Sequence, residues 1–255
     1  MSARLSVRGL SIGIANRTLC DDLSWEVDGG QCCVIVGPNG AGKTTLVRTL
    51  AGLNPCRAGS IAYDGDDIAH LSARVAAQRR AWLPQVDHDA FPATVLETVL
   101  VGRHPHLSRW SWESAADIDR ARRALAEVGL AGLETREVAS LSGGERRRVA
   151  LAAIVAQEAP LLLLDEPTAH LDLKHQVQML DLFTARARER GQALVIVLHD
   201  LHLALRYADA AIAIANGRAS AGAASEILTR EALSALFAHP LVEAGDGNLR
   251  TLLPA

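Results

Sequence analysis

A chain that carries Gly37-Pro38-Asn39-Gly40-Ala41-Gly42-Lys43-Thr44-Thr45 has few folds open to it. The stretch fits G-x-x-x-x-G-K-[ST], a loop that wraps phosphate and does so between a buried strand and the start of a helix. Both flanks are present. Gln31-Cys32-Cys33-Val34-Ile35-Val36 is a short apolar run of strand character, and from Thr44 onward Leu46, Val47, Leu50 and Leu53 recur at helical spacing. At such a junction bare N–H groups and the helix dipole favour an anion. Gly37, Gly40 and Gly42 let the backbone curl around phosphate oxygens, Lys43 is placed to reach terminal phosphates, and the Thr44 hydroxyl suits Mg²⁺. The choice of lysine is informative in itself. Of 26 Lys and Arg residues, lysine stands only at positions 43 and 174. Position 43 is where a compact ammonium on a flexible stem is needed.

The 255 residues, 49% of them apolar, are enough for one large α/β domain or two small ones. A net charge of −3 and a pI near 6.3 argue against nucleic acid held by a global basic field. The cluster Arg146-Arg147-Arg148 reads as a solvated helix face. Cys20, Cys32, Cys33 and Cys56 have neither zinc-site spacing nor the pattern of a disulfide framework, so a reducing cytosol is expected. Met1-Ser2-Ala3-Arg4 opens no signal-peptide core, and apolar runs such as Val149–Val155 fall far short of the ~18 residues that span a bilayer. Any work at a membrane is expected to go through other chains.

Along the chain, Leu5–Leu10 and Leu23–Val27 alternate as half-buried antiparallel strands do, and Gly59–Tyr63 and Arg80–Leu83 read as further strands. From about 87 to 156 the character turns helical. Thr94–Val101 and Asp117–Val128 are the expected helices, the second with Ile118, Ala121, Leu125 and Val128 on one face, and His104–Trp112 lies irregularly between them. Parallel-sheet character returns with Leu161–Leu164, Ala193–Leu198 and Ala210–Ala215. A helix over Asp172–Arg190 stops at Gly191, and a short helix covers Leu201–Tyr207. Asn216-Gly217 turns a hairpin, Thr229 caps a last helix, and the tail after His239 shows no pattern. The expected division is a core of 1–86 and 157–222 carrying an antiparallel β subdomain, a helical subdomain at 87–156, and a helix with tail at 223–255.

Two further stretches carry chemistry. Leu161-Leu162-Leu163-Leu164 ends in Asp165-Glu166, two acids at the carboxyl end of an apolar strand, where open α/β sheets bind ligands. Asp165 suits a Mg²⁺ shell and Glu166 suits polarising an attacking water. Leu141-Ser142-Gly143-Gly144-Glu145 opens a helix. Ser142 and Glu145 match a capping box, but a cap does not need two glycines in the first turn. Those glycines leave bare N–H groups at a positive helix end, a second phosphate site.

Taken together these motifs resemble the ATP-binding cassette ATPases over nearly the whole chain. Gly37–Thr45 is similar to that family's Walker A loop, Leu161–Glu166 to Walker B with its catalytic glutamate, and Leu141–Glu145 to its signature, with Glu145 where Gln is common. Gln85 falls at the Q-loop position, Asp172 at the D-loop and His199 at the switch histidine. The resemblance implies an α/β P-loop NTPase core of RecA-like type with an N-terminal antiparallel β subdomain and an inserted helical subdomain. It implies ATP and Mg²⁺, with Thr44, Gln85 and Asp165 toward the metal and Glu166, His199 and Gln85 toward hydrolysis. It also implies a head-to-tail dimer in which Ser142, Gly143, Gly144, Glu145 and Asp172 meet the partner copy's ATP. The family's adenine-stacking aromatic is replaced here by Ile14.

Pro92–His106 and Glu166–Gln176 are similar to the importers of iron-siderophore, haem and cobalamin. That group implies permease subunits docked on about 85–106, a periplasmic or extracellular binding protein, and a peripheral place on the cytoplasmic face of the plasma membrane. Fe(III)-siderophore is the first expectation, before cobalamin and haem. A soluble cassette ATPase acting on DNA or ribosomes is the alternative.

Overall fold

In the computed structural model the described residues are 5–85, 92–108, 111–245 and 251–255. The fold begins with a pair of strands, β1 (Leu5–Ile14) and β2 (Arg17–Val27), in which buried and open positions alternate. Both run further than the sequence pattern reached. β3 (Cys32–Val36) is buried at every position and leads through the phosphate loop to α1 (Lys43–Leu50). The helix stops there, so Leu53 lies beyond its end and is exposed, against the expectation that it shares the apolar face. Next come β4 (Ala58–Tyr63), the two-residue β5 (Asp66–Asp67), α2 (Ala73–Arg79) and β6 (Arg80–Leu83).

Among the described residues between β6 and the next strand are the α-helices α3 (Val95–Leu100), α4 (Ala115–Glu127) and α5 (Gly143–Gln157), with 3-10 turns at Val101–His106, where an irregular stretch was expected from His104, and at Val138–Ser140. Each α-helix starts on a complete capping box, Thr94 with Glu97, Ser114 with Asp117, and Ser142 with Glu145. The chain then alternates β7 (Leu161–Asp165), α6 (Leu173–Arg190), β8 (Ala193–Val197), α7 (Leu201–Tyr207) and β9 (Ala210–Ala215). Asp172 caps α6 at its start, and Gly191, at φ 66°, ends it in a left-handed turn. Asn216 and Gly217 both have positive φ, as a two-residue hairpin requires, and hand over to β10 (Arg218–Ala223). After α8 (Ala224–Ile227) and α9 (Arg230–Phe237) comes an antiparallel pair, β11 (Leu241–Ala244) and β12 (Thr251–Pro254). That pair corrects the patternless reading of the tail. Each strand is four residues long and buries one leucine, Leu241 and Leu252, too short a run to show a period.

The strands form a central sheet in the order β10-β9-β3-β8-β7-β6, parallel apart from the β10 hairpin, and an antiparallel sheet in the order β2-β1-β4-β5. Strand pleating sends alternate residues of the central sheet to two cores. Cys32, Val34, Val36, Leu162, Leu164, Leu194 and Ile196 pack with α3 to α7. Cys33, Ile35, Leu161, Leu163, Val195 and Val197 pack with α1 and the antiparallel sheet. Strands buried on both faces read as unbroken apolar runs, which is why the sequence showed no alternation there. Burial pushes the Cys33 thiol up to about 12, so it behaves as a small apolar side chain. No helix among the described residues is long and apolar enough to cross a membrane.

Arg147 departs from the solvated face expected of its cluster: it is only 4% exposed, whereas Arg146 is exposed. Asp117 is also buried. It accepts from the Ser114 hydroxyl at 2.6 Å, the Ser114 amide at 3.1 Å and Arg103 Nε at 3.0 Å. The Ser114 hydroxyl, and after it the Ser114 amide and Arg103, holds the carboxyl at a pKa of about 2, below its ordinary 3.8, with burial opposing. A depressed carboxylate pKa contributes stability above the unfolded value and loses it as pH falls through the folded one. Stability is therefore expected to drop between pH 3.8 and about 2, and Asp117→Asn to flatten part of that drop, as read from urea midpoints against pH.

Candidate functional site

The carboxyl ends of β3, β7 and β8 lie side by side, because parallel pairing sets Ile35 beside Val197 and Asp165 beside Val197. The residues that leave each strand end are therefore delivered to one place. β3 delivers Gly37–Thr45, β7 delivers Asp165 and Glu166, and β8 delivers His199. A cleft of about 680 Å³ opens there, lined by Asn39, Gly40, Gly42, Lys43, Thr44, Thr45, Gln85, Glu166 and His199, and by Ile14, Arg17 and Leu19 of the first two strands.

The loop geometry explains its glycines. A Cβ on Gly37 would stand 2.2 Å from the Ile214 carbonyl oxygen of the neighbouring strand. Gly42 sits at φ 107°, where side chains are strained, with Leu19 packed against it. Lys43, buried, folds back to donate to the carbonyls of Gly37 at 2.7 Å and Pro38 at 3.1 Å. Burial lowers its pKa, while Glu166 and Asp165 pull it up. The ammonium is tethered by neutral carbonyls that an anionic ligand would outcompete.

Asp165 is completely buried, and neither of its carboxylate oxygens has a hydrogen-bond partner among the described residues. Burial raises its pKa. The Thr44 hydroxyl lies near enough to favour the charged form without closing a hydrogen bond, and Glu166 adds repulsion. A carboxylate in that position is costly unless something positive meets it. With Thr44 and Gln85 at the same cleft, the donors are all hard oxygens, which fits Mg²⁺. Glu166 has φ 50° and accepts from His199 Nε2 at 2.5 Å. The expected base and the expected switch histidine are thus in direct contact.

Other expected residues stand elsewhere. Ser142 and Glu145 do not line the cleft. The Ser142 amide and hydroxyl donate to Glu145 Oε2 at 2.9 and 2.8 Å, and the Glu145 amide donates to Ser142 Oγ at 3.3 Å. Those bonds hold Glu145 below the usual carboxylate range. Gly143 lines a neighbouring groove with Gln85, Arg146, Arg147 and His170, and nothing lies within 4 Å of where its Cβ would be. Gly144 is closer packed, with the His170 carbonyl at 3.3 Å. Asp172 caps α6, accepting from the His175 amide at 2.9 Å and His175 Nδ1 at 2.7 Å. Within the expected docking stretch 85–106, residues 86–91 lie outside the described residues.

Sequence reading missed Arg17 and Leu19. Ile14 is 58% exposed on the β1–β2 turn, and the return strand brings Arg17 and Leu19 to the same wall. The Arg57 guanidinium braces this turn, donating to the carbonyls of Ala15 and Arg17 and to the Thr18 hydroxyl. The register of a hairpin was the signal that would have found Arg17, since Ile14 pairs with it.

A glycine-rich loop between a buried parallel strand and a helix, facing a strand-end acid pair, defines a phosphate-binding α/β protein. The sequence profile of the ABC transporter family matches residues 20–169, and the chain belongs to that family. It is 43% identical over 91% of its length to a cobalamin import ATP-binding protein of Halobacterium salinarum, of which it covers 58%. It is 44% identical over 91% of its length to a hemin import ATP-binding protein of Streptomyces coelicolor, covering 82% of that protein. It is 38% identical over 92% of its length to the ferric enterobactin transport ATP-binding protein of Escherichia coli, covering 87%. Among solved structures, one described as a metal-chelate type ABC transporter in an inward-facing conformation superposes with a TM-score of 0.87 at 29% identity, over all of this chain and 98% of the other.

The Gly37 contact gives a direct test of the loop. Ile214 contributes backbone there, which cannot rotate away, so Gly37→Ala is expected to destabilise the fold by about 1–3 kcal/mol in urea unfolding.

Proposed function

We propose that this chain is the ATP-binding and ATP-hydrolysing subunit of an ABC importer for a metal chelate, with Fe(III)-siderophore the first candidate cargo and haem and cobalamin beside it. The relatives named as cobalamin, hemin and ferric enterobactin import proteins support the class of cargo. One observation carries the catalytic reading. A single cleft gathers the phosphate loop and an acid bonded to a histidine, directly above a buried carboxylate without a partner among the described residues.

In this reading the amides of Gly37–Thr45 and the ammonium of Lys43, released from its loop carbonyls, hold the β- and γ-phosphates. Thr44, Gln85 and Asp165 would hold Mg²⁺, which when bound offsets charge on the phosphate oxygens. Glu166 accepts the proton of the attacking water as its oxygen bonds to the γ-phosphorus, and the bond to the β-phosphate oxygen breaks to leave ADP and phosphate. His199, bonded to Glu166, fixes the carboxylate's direction. Ile14, Arg17 and Leu19 face the base. Ser142, Gly143, Gly144, Glu145 and Asp172, which stand away from this cleft, serve the ATP of a second copy arranged head to tail. The helical part, about 87–156, is the unit that presents the Ser142–Glu145 turn and that docks permease subunits through about 85–106, while Asp172 lies beyond it at the start of α6. The chain then sits on the cytoplasmic face of the plasma membrane, with a periplasmic or extracellular binding protein supplying cargo to the permease.

Glu166→Gln is expected to keep ATP affinity and lower turnover at least about a hundredfold. Turnover near the wild-type rate in the assembled transporter would remove Glu166 from that role. Dimer formation is tested in the same background. Gly143→Asp sets a carboxylate where the partner's γ-phosphate would lie, so ATP is expected to produce a light-scattering dimer from the Glu166→Gln chain and none from the double variant. Equal dimer populations would contradict the head-to-tail arrangement.

A further inference from the structure

Arg147 stands in the second turn of α5, and its guanidinium reaches under the floor of the cleft. Nη2 donates to the carbonyls of Asp165 and Glu166, both at 2.8 Å. Nε donates to the Pro167 carbonyl at 3.3 Å, and Nη1 to the Pro84 carbonyl at 2.8 Å. The side chain is buried, so these bonds are shielded from water and strengthened.

The geometry points to Arg147 as a positioning residue that holds the Glu166 carboxylate and Gln85 in their working places. The Asp165 carbonyl belongs to the peptide unit before the Glu166 Cα, and the Glu166 carbonyl to the unit after it. Pinning both oxygens to one nitrogen pins both backbone rotations of Glu166. Those rotations need pinning: φ is 50°, in the left-handed region, which a residue with a Cβ leaves unless its surroundings forbid it. The Pro84 carbonyl ends the residue just before Gln85, so the same planar group sets the spacing between Gln85 and Glu166. Lysine cannot reproduce this, since a point ammonium has no fixed fork. The proposal rests on Glu166 being the water-polarising base, and its test separates the two ideas.

The test uses the full chain carrying Arg147→Gln or Arg147→Lys. The Ala169 amide donates to the Glu166 carbonyl at 3.1 Å and so reports the turn without any nucleotide. Hydrogen exchange at Ala169 is expected to speed at least about tenfold in Arg147→Gln and less in Arg147→Lys, with the last turns of α5 unchanged. Unchanged exchange at Ala169, or equal loosening along all of α5, overturns the proposal. In hydrolysis, Arg147→Gln is expected to lower kcat about tenfold with KM within about twofold. Placed on Glu166→Gln, it is expected to change the residual rate less than about twofold, because the base it positions is gone. An equal fall in both backgrounds overturns it too. Should Glu166→Gln alone keep its turnover, the base assignment fails, while Ala169 exchange still decides what Arg147 holds. If Arg147→Gln does not fold, Arg147→Lys carries both measurements.

Discussion

The side-by-side burial of β3, β7 and β8 is the constraint on which the rest of the structure depends. Covered on both faces, these strands can carry almost nothing but apolar side chains, and each has to change character at its end. Parallel pairing puts all three changes at the same edge of the sheet. A phosphate loop, an acid pair and a histidine are thereby gathered from stretches far apart in the chain, with no bond between them needed to assemble the site. Asp165 shows how abrupt the change is. It ends a strand of four leucines and is as buried as they are.

That burial also accounts for the uneven electrostatics of the cleft. Lys43 and Asp165 are both buried, and in each the cost of removing a charge from water pushes toward the neutral form. Each is partly relieved by the other's charge. Neither is satisfied by it, since Lys43 donates to carbonyls and Asp165 accepts from nothing among the described residues. Two opposite charges left short of partners in one place mark a candidate binding site.

Most of the fold was legible because its elements carry strong local marks. The Asn216-Gly217 turn, the Ser142–Glu145 capping box and the apolar runs each correspond to one backbone event and fell where expected, whereas the boxes at Thr94 and Ser114 were not read from the sequence. The site residues on strand ends were legible for the same reason. What escaped depends on contacts across the chain. Arg17 reaches the cleft only through hairpin register, and the β11–β12 pair is too short to announce itself. Arg147 sits in a run of three arginines that looks solvated, and what buries it is the turn of α5 over the ends of β6 and β7. A helix turns about 100° per residue, so three consecutive arginines cannot share one environment. The run itself held that clue.

The reciprocal bonding of Ser142 and Glu145 has a consequence for recognition. Because the first turn of α5 is already closed on itself, the backbone at Gly143 and Gly144 is held in place before anything meets it. Any phosphate that arrives there orders no backbone. Each residue it would otherwise have to fix costs about 1–2 kcal/mol of conformational entropy. A turn that caps its own helix therefore spares any ligand that meets it the ordering cost a flexible loop would impose.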